Sequence, residues 1–140
     1  DAAMTIHVAM NIPAKDRLYA EARRVLRPGA IFAVYDVLQG EGGPVLYPVP
    51  WAREPALSAL ATPAEMRQLL RTAGFTLLEE IDSTEACRDW YRDRVARAER
   101  APQPMTFELF MGADYAEMAR NQVQNLTETR IRIGTYICRA

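Results

Sequence analysis

The chain has 140 residues, 49% of them hydrophobic, with 17 basic and 18 acidic side chains and a net charge of −1. That length suits one domain with enough apolar material for a packed core, and the balanced charge argues against nucleic acid as an electrostatic partner, since phosphate binding needs a basic surplus. No apolar run long enough to span a membrane is present, no signal peptide is visible, and Cys87 and Cys138 lie far apart without Cys-x-x-Cys spacing, so free thiols of a cytoplasmic protein are expected and a structural zinc site is not.

Asp1 to Met10 is a short apolar stretch that reads as the tail of a strand or the loop after one. Pro13 to Arg27 has a helical pattern. Pro13 suits the first turn, Leu18, Ala22, Val25 and Leu26 share one face, and Arg23, Arg24 and Arg27 favour the negative end of the helix dipole. Gly29 supplies a left-handed cap. Ala30 to Leu38 is a nearly unbroken apolar strand, as a parallel strand covered on both faces is. Gly40 to Pro44 reads as a flexible loop, and Val45 to Trp51, interrupted by Pro48 and Pro50, as an ordered loop rather than a central strand.

Thr62-Pro63-Ala64-Glu65 is a capping box with proline at the first helical position, and Met66, Leu69, Leu70 and Ala73 form the stripe of the helix it opens. Gly74 ends that helix. Phe75 to Ile81 is the next strand, with Leu78 breaking its alternation. Asp82 to Arg100 returns to helix, with Asp82 and Glu85 as a capping pair and Cys87, Tyr91, Val95 and Ala98 on one face. Trp90, Tyr91 and Tyr115 read as core, and the arginines from Arg88 to Arg100 as a solvated face. Ala101-Pro102-Gln103-Pro104 breaks the helix, and Phe107, Leu109, Phe110 and Met111 form an apolar cluster suited to a lid or a dimer surface. A further helix spans Tyr115 to Leu126, with Tyr115, Met118, Ala119, Gln122 and Leu126 in register. Arg130 to Cys138 is a β-branched closing strand. Strands alternating with helices define an α/β class.

Ligands of open α/β sheets gather at the carboxyl ends of the strands, which makes Asp36 a candidate for binding substrate or a positive group. The alternative is a carboxylate that caps a turn or pairs with an arginine, since buried carboxylates need partners. Tyr47 and Trp51, set between prolines, are candidates for an aromatic wall of a substrate pocket. A methylammonium group would gain ~0.5–2 kcal/mol from each such face; the alternative is a loop pinned by its own rings.

Met10-Asn11-Ile12-Pro13, Leu26-Arg27-Pro28-Gly29 and Tyr35-Asp36, taken together, resemble the second half of class I S-adenosylmethionine-dependent methyltransferases. His7-Val8-Ala9-Met10-Asn11-Ile12 is similar to small-molecule members such as the sarcosine/dimethylglycine N-methyltransferases and ubiquinone-biosynthesis C-methyltransferases. The resemblance implies the C-terminal half of a Rossmann-like sheet in the order 4-5-7-6, with the last strand antiparallel and helices on its faces. Asp1–Thr5 would end the fourth strand, Ala30–Asp36 would be the fifth, Phe75–Ile81 the sixth and Arg130–Cys138 the seventh. Residues 83–129 would be a helical insertion or lid before the last strand.

The same resemblance implies S-adenosyl-L-methionine as cofactor, with Thr5, Ile6 and His7 at its amino-acid end and His7 as candidate catalytic base or site-lining residue. It places the family's glycine-rich loop, and the acidic residue that holds the ribose, upstream of residue 1. A fragment that is inactive alone is therefore expected, whose parent methylates a small molecule at an N, O or C atom that these residues do not specify. A bare fourth strand is expected to favour a homodimer through its edge or through an apolar face. Two alternatives stand beside this: a non-catalytic dimerisation or binding module derived from the same fold, and a nucleotide-dependent oxidoreductase on a similar sheet.

Overall fold

The computed structural model describes residues 1–100 and 108–140. In chain order the elements are β1 (Ala2–Ile6), α1 (Lys15–Val25), β2 (Ile31–Gln39), α2 (Pro63–Thr72), β3 (Thr76–Asp82), α3 (Thr84–Arg100), the single turn α4 (Glu108–Met111), α5 (Tyr115–Thr127) and β4 (Ile131–Arg139). Short 3₁₀ turns lie at Ala9–Asn11 and Pro55–Leu57. The sheet order is β1-β2-β4-β3. β1 runs parallel to β2, while β4 is antiparallel to both of its neighbours. With β1, β2, β3 and β4 as fourth, fifth, sixth and seventh strands, this is the half-sheet expected from the sequence.

Alternation along β2 sends Phe32, Val34, Asp36 and Leu38 to one face of the sheet and Ala33, Tyr35 and Val37 to the other. On the first face, α1 and α2 bring Tyr19, Met66 and Leu70 against Phe32, Val34 and Tyr136. Phe32 stacks on Phe75 with ring centres 4.9 Å apart and meets the edge of Tyr19 at 6.3 Å. Each such buried side chain contributes about 1.5–3 kcal/mol, so this cluster is the main stabilising layer. On the second face, Val37, Ile131 and Ile133 pack with Met10 and Leu126, and with the half-buried Trp51, Cys87 and Tyr91. No helix among the described residues is long and apolar enough to cross a membrane. Cys138 sits in the first cluster and Cys87 beside the second, both as free thiols.

Several local expectations are corrected. The first helix is shorter than Pro13–Arg27, with Ala14 as its N-cap and Pro13 outside it. Its buried face runs through Lys15, Tyr19 and Leu26, while Val25 is exposed. Lys15 is buried because its ammonium donates to the Ile12 and Ala59 carbonyls, tying the helix start to a distant loop. Burial lowers its pKa, opposed by the nearby Asp36 and Glu65 carboxyls. Gly29 has φ +83°, but the helix has already ended. It serves the turn in which the Ala30 N–H donates to the Arg27 carbonyl at 3.1 Å, with Pro28 and Gly29 arranged as in a type II turn.

Gly40 to Pro44 is pinned rather than loose. The Gly40 and Gly42 N–H groups donate to the Arg130 and Thr129 carbonyls at 2.9 Å each. Leu78 breaks the strand pattern because a register shift lies between Leu77 and Glu79, as a β-bulge produces. Asp82 does not pair with Glu85; it accepts from the Thr84 N–H at 2.9 Å and from the Thr84 hydroxyl. Trp90 is exposed, with the Arg94 guanidinium 5.3 Å above its ring, and is not core. The capping box forms as expected: the Glu65 N–H donates to Thr62 Oγ1 at 3.2 Å, and the Thr62 N–H donates to the Glu65 carboxylate at 2.7 Å. The expected break at Ala101–Pro104 and the position of Phe107 lie outside the described residues.

Candidate functional site

The carboxyl ends of the parallel pair β1–β2 open onto a cleft of ≈ 380 Å³. Its floor is built by the chain that leaves β1. His7 follows the strand directly, in the left-handed region at φ +53°, with its N–H donating to the Tyr35 carbonyl at 2.9 Å. Its ring lies 5.0 Å from that of Tyr35 and it lines the cleft. The 3₁₀ turn that follows presents Met10 and Asn11 to the same space.

That turn is held from behind by Asp36. The Ala9 N–H donates to its Oδ2 at 2.7 Å and the Val37 N–H donates to its Oδ1 at 2.9 Å. The side chain is fully buried and does not line the cleft. Burial raises its pKa above the usual carboxylate range, opposed by these backbone donors and by His7. Both oxygens of Asp36 thus accept from backbone N–H groups, the geometry of a carboxylate that organises a turn.

The roof is a strap formed by residues 45–59. Val49 and Ala52 exchange backbone hydrogen bonds of 2.8 and 3.1 Å, which leaves Pro50 and Trp51 at the tip of a tight turn, directed at the cleft. The Trp51 Nε1–H donates to Ser58 Oγ at 3.0 Å, and Asn11 Nδ2 donates to the Trp51 carbonyl at 2.8 Å. On the far side the strap is fastened to α5. Asn125 accepts from the Leu46 N–H at 2.9 Å and donates to the Leu46 carbonyl at 3.0 Å, and Asn121 donates to the Pro48 carbonyl at 3.0 Å. A carboxamide matches a peptide group in donor and acceptor, so Asn125 satisfies backbone that the strap leaves without a strand partner.

The helical wall comes from Cys87 and Tyr91 on α3 and from Gln122 on α5. Burial pushes the Cys87 thiol up and the Tyr91 phenol up to about 12, so both are held protonated at neutral pH and the cysteine is a poor nucleophile. Among the described residues, no Asp, Glu, Lys or Arg lines the cleft. A second groove beside β3 and β4 is charged, but its charges are already matched: Arg132 binds Glu41 at 2.9 Å and Asp82 at 2.8 Å, and Arg67 binds Glu80 at 2.8 Å.

The structure thus brings His7 and Trp51, two of the residues singled out from the sequence, to one cleft. It does not bring the others onto its lining. Tyr47 is half-buried within the strap, and Ile6 is exposed on β1. Thr5 is half-buried, with an Oγ1 that has no partner among the described residues. Sequence reasoning missed Asn11, Cys87, Tyr91 and Gln122 as lining residues. The signal for Gln122 was a polar side chain in the apolar stripe of α5; for Cys87 and Tyr91 it was their i, i+4 spacing.

No family model matches this chain, and no curated protein matches it. Solved structures do. Over 99% of its length the chain is similar to a Galdieria sulphuraria protein described as a sarcosine dimethylglycine methyltransferase, at 15% identity and a TM-score of 0.77, covering 52% of that chain. Over its full length it is similar to mycolic acid cyclopropane synthase complexed with S-adenosylhomocysteine and CTAB, at 12% identity and a TM-score of 0.77, covering 55% of that chain. The [4+2]-cyclase SpnF shares the fold at 21% identity and a TM-score of 0.67, with 50% of its chain covered. The fold is that of the C-terminal half of class I S-adenosylmethionine-dependent methyltransferases, and this chain spans about half the length of the three structures compared.

Proposed function

We propose that this chain is the substrate-side half of an S-adenosylmethionine-dependent methyltransferase acting on a small molecule, and that the cleft beside His7 and Trp51 receives the methyl acceptor. The observation that carries this reading is the position of the cleft at the carboxyl ends of the parallel strands, where open α/β sheets bind ligands. A shared fold alone does not decide the reaction, as the cyclase among the neighbours illustrates.

The residues present fit one flank of such a cofactor. The Thr5 hydroxyl is buried without a partner among the described residues, β1 has one unpaired edge, and His7 stands exposed at its end. Thr5, Ile6 and His7 are proposed to border the amino-acid end of the cofactor. The glycine-rich run Gly40–Gly43 does not serve as its cradle, because the backbone of residues 128–130 already fills the space beside Gly40 and Gly42. The isolated chain is accordingly proposed to be inactive.

When bound, S-adenosylmethionine supplies an electrophilic methyl group. The chain's own contribution is to hold the acceptor in line and to exclude water, which accounts for most of the acceleration such a transfer needs. His7 takes a proton only where the acceptor atom carries one at working pH. Calorimetry of the full-length protein with S-adenosylmethionine tests the reading. Saturable binding at one site per chain is expected, and absence of binding overturns it.

Self-association is proposed as well. Met4 and Ile6 are 68% and 54% exposed, on the same face of β1 and next to its free edge. An apolar strand with an open edge pairs readily with a second copy. Size-exclusion chromatography of this chain with light scattering is expected to show a dimer at tens of micromolar, by order of magnitude for such contacts. A clean monomer at high concentration rules that out.

A further inference from the structure

We infer that Gln122 is the specificity-determining anchor of the cleft, and that its ligand is a small uncharged molecule presenting an O–H or N–H to the Gln122 carbonyl. This rests on the reading of the cleft as the acceptor site. Gln122 is 3% exposed and lines the cleft, and its Oε1 has no hydrogen-bond donor among the described residues. A buried acceptor without a donor is unfavourable in the free protein, and so few native groups are left that way that each points to a role. The flanking amides on α5 show what a structural amide does here. Asn121 and Asn125 both bond the strap backbone, at 2.9–3.0 Å. Gln122, between them in sequence, is a cleft-lining amide whose buried oxygen has no donor among the described residues.

The rest of the lining fixes the ligand class. Trp51, Tyr91, Met10 and Val37 offer aromatic and apolar surface, and among the described residues no Asp, Glu, Lys or Arg lines the cleft. Among the described residues, a phosphate or carboxylate would find only the His7 imidazole to meet it there. A cation would meet aromatic faces but no carboxylate, because both oxygens of Asp36, behind the site, already accept from backbone N–H groups. Among the described lining residues, the buried polar atom left without a partner is the Gln122 carbonyl, in a largely apolar space. A site built to accept a hydrogen bond discriminates strongly against analogues that lack the donor.

The test is ligand-observed NMR titration of the full-length protein with two matched pairs, 3-methoxyphenol against 1,3-dimethoxybenzene and indole against 1-methylindole, with tetramethylammonium as a cationic competitor. The donor-bearing member of each pair is expected to bind about fivefold or more tightly than its methylated partner, the ratio one neutral hydrogen bond supports. Gln122→Leu is expected to bring each pair within about twofold and to raise Tm by about 2–6 °C, since it removes an unpaired buried acceptor. A glutamine with a purely structural role gives the opposite thermal result, a lower Tm. Gln122→Met, closer in shape, repeats the comparison where leucine packs badly. Equal binding within both pairs, abolished by Trp51→Ala, overturns the inference and leaves the cleft reading intact. Displacement by tetramethylammonium overturns the uncharged class. Failure of every probe to bind overturns the inference and the cleft reading together, while the cofactor titration above still stands as a separate test of methyltransferase identity.

Discussion

Asp36→Ala is expected to lower the unfolding free energy by about 3–4 kcal/mol, because it strands two buried N–H groups, each costing about 1–3 kcal/mol when left without a partner. The Ala9 and Val37 N–H groups both depend on this carboxylate, at 2.7 and 2.9 Å. Asp36→Asn keeps one acceptor oxygen and is expected to lose about half as much. Urea denaturation of the three proteins measures both values. A loss below about 1 kcal/mol for the alanine variant would refute this account of the turn.

The pH dependence has a definite sign. Burial holds the folded-state pKa of Asp36 above its ordinary value of 3.8. The folded state therefore binds this proton more tightly than the unfolded chain does. The stabilisation linked to it is fully present below the ordinary aspartate value and is lost as pH rises through the folded value. Glu41, Glu65, Asp82 and Glu128 have lowered pKa values, through Arg132, Thr62, Thr84 and Gln124 as hydrogen-bond partners, and act in the opposite sense at acid pH. The difference between wild type and Asp36→Asn removes their contribution, and that difference is expected to move against wild type as pH rises. A difference that favours wild type with rising pH contradicts this account.

Gly42→Ala is expected to cost about 3 kcal/mol or more, at the upper end for overpacking, because the clash is with backbone. A Cβ at Gly42 would fall on the Glu128 carbonyl oxygen and crowd the Arg130 nitrogen, and no side-chain rotation relieves either contact. The loop must lift, breaking the bond from the Gly42 N–H to the Thr129 carbonyl. Its neighbour there is the turn between α5 and β4, so the disturbance reaches the Gln39–Ile131 end of the β2–β4 ladder. Gly29→Ala is the control. It places a Cβ in open space and suffers only from its φ of +83°, a cost of about 1–2 kcal/mol. Thermal melts followed by circular dichroism read both, and a Gly42→Ala protein as stable as Gly29→Ala would refute the packing argument.

What was legible in the sequence follows from short-range physics. The Thr62–Glu65 box and the apolar run of β2 each leave a mark within a few residues and stand where that mark put them, and the broken alternation at Leu78 falls where the register shifts. The half-sheet order came through the resemblance, since no local pattern states which strands lie side by side. What was not legible depends on partners far away in the chain. Lys15 scores as polar, yet it is buried because carbonyls at Ile12 and Ala59 receive its ammonium. Glycines at 40 and 42 suggest freedom, whereas they are required by close approach of another backbone. The site divides the same way. Trp51 follows from its position between prolines and His7 from the resemblance, but the inward turn of Asp36 and the unpartnered carbonyl of Gln122 are set by contacts no spacing encodes.

The asparagine clasp between the strap and α5 joins segments 79 positions apart. Ceiling and wall of the cleft therefore behave as a single exchangeable cassette, despite being encoded separately. A chimera that transplants one without its counterpart would leave peptide groups of the strap without their amide complement, and with them the tryptophan's seat.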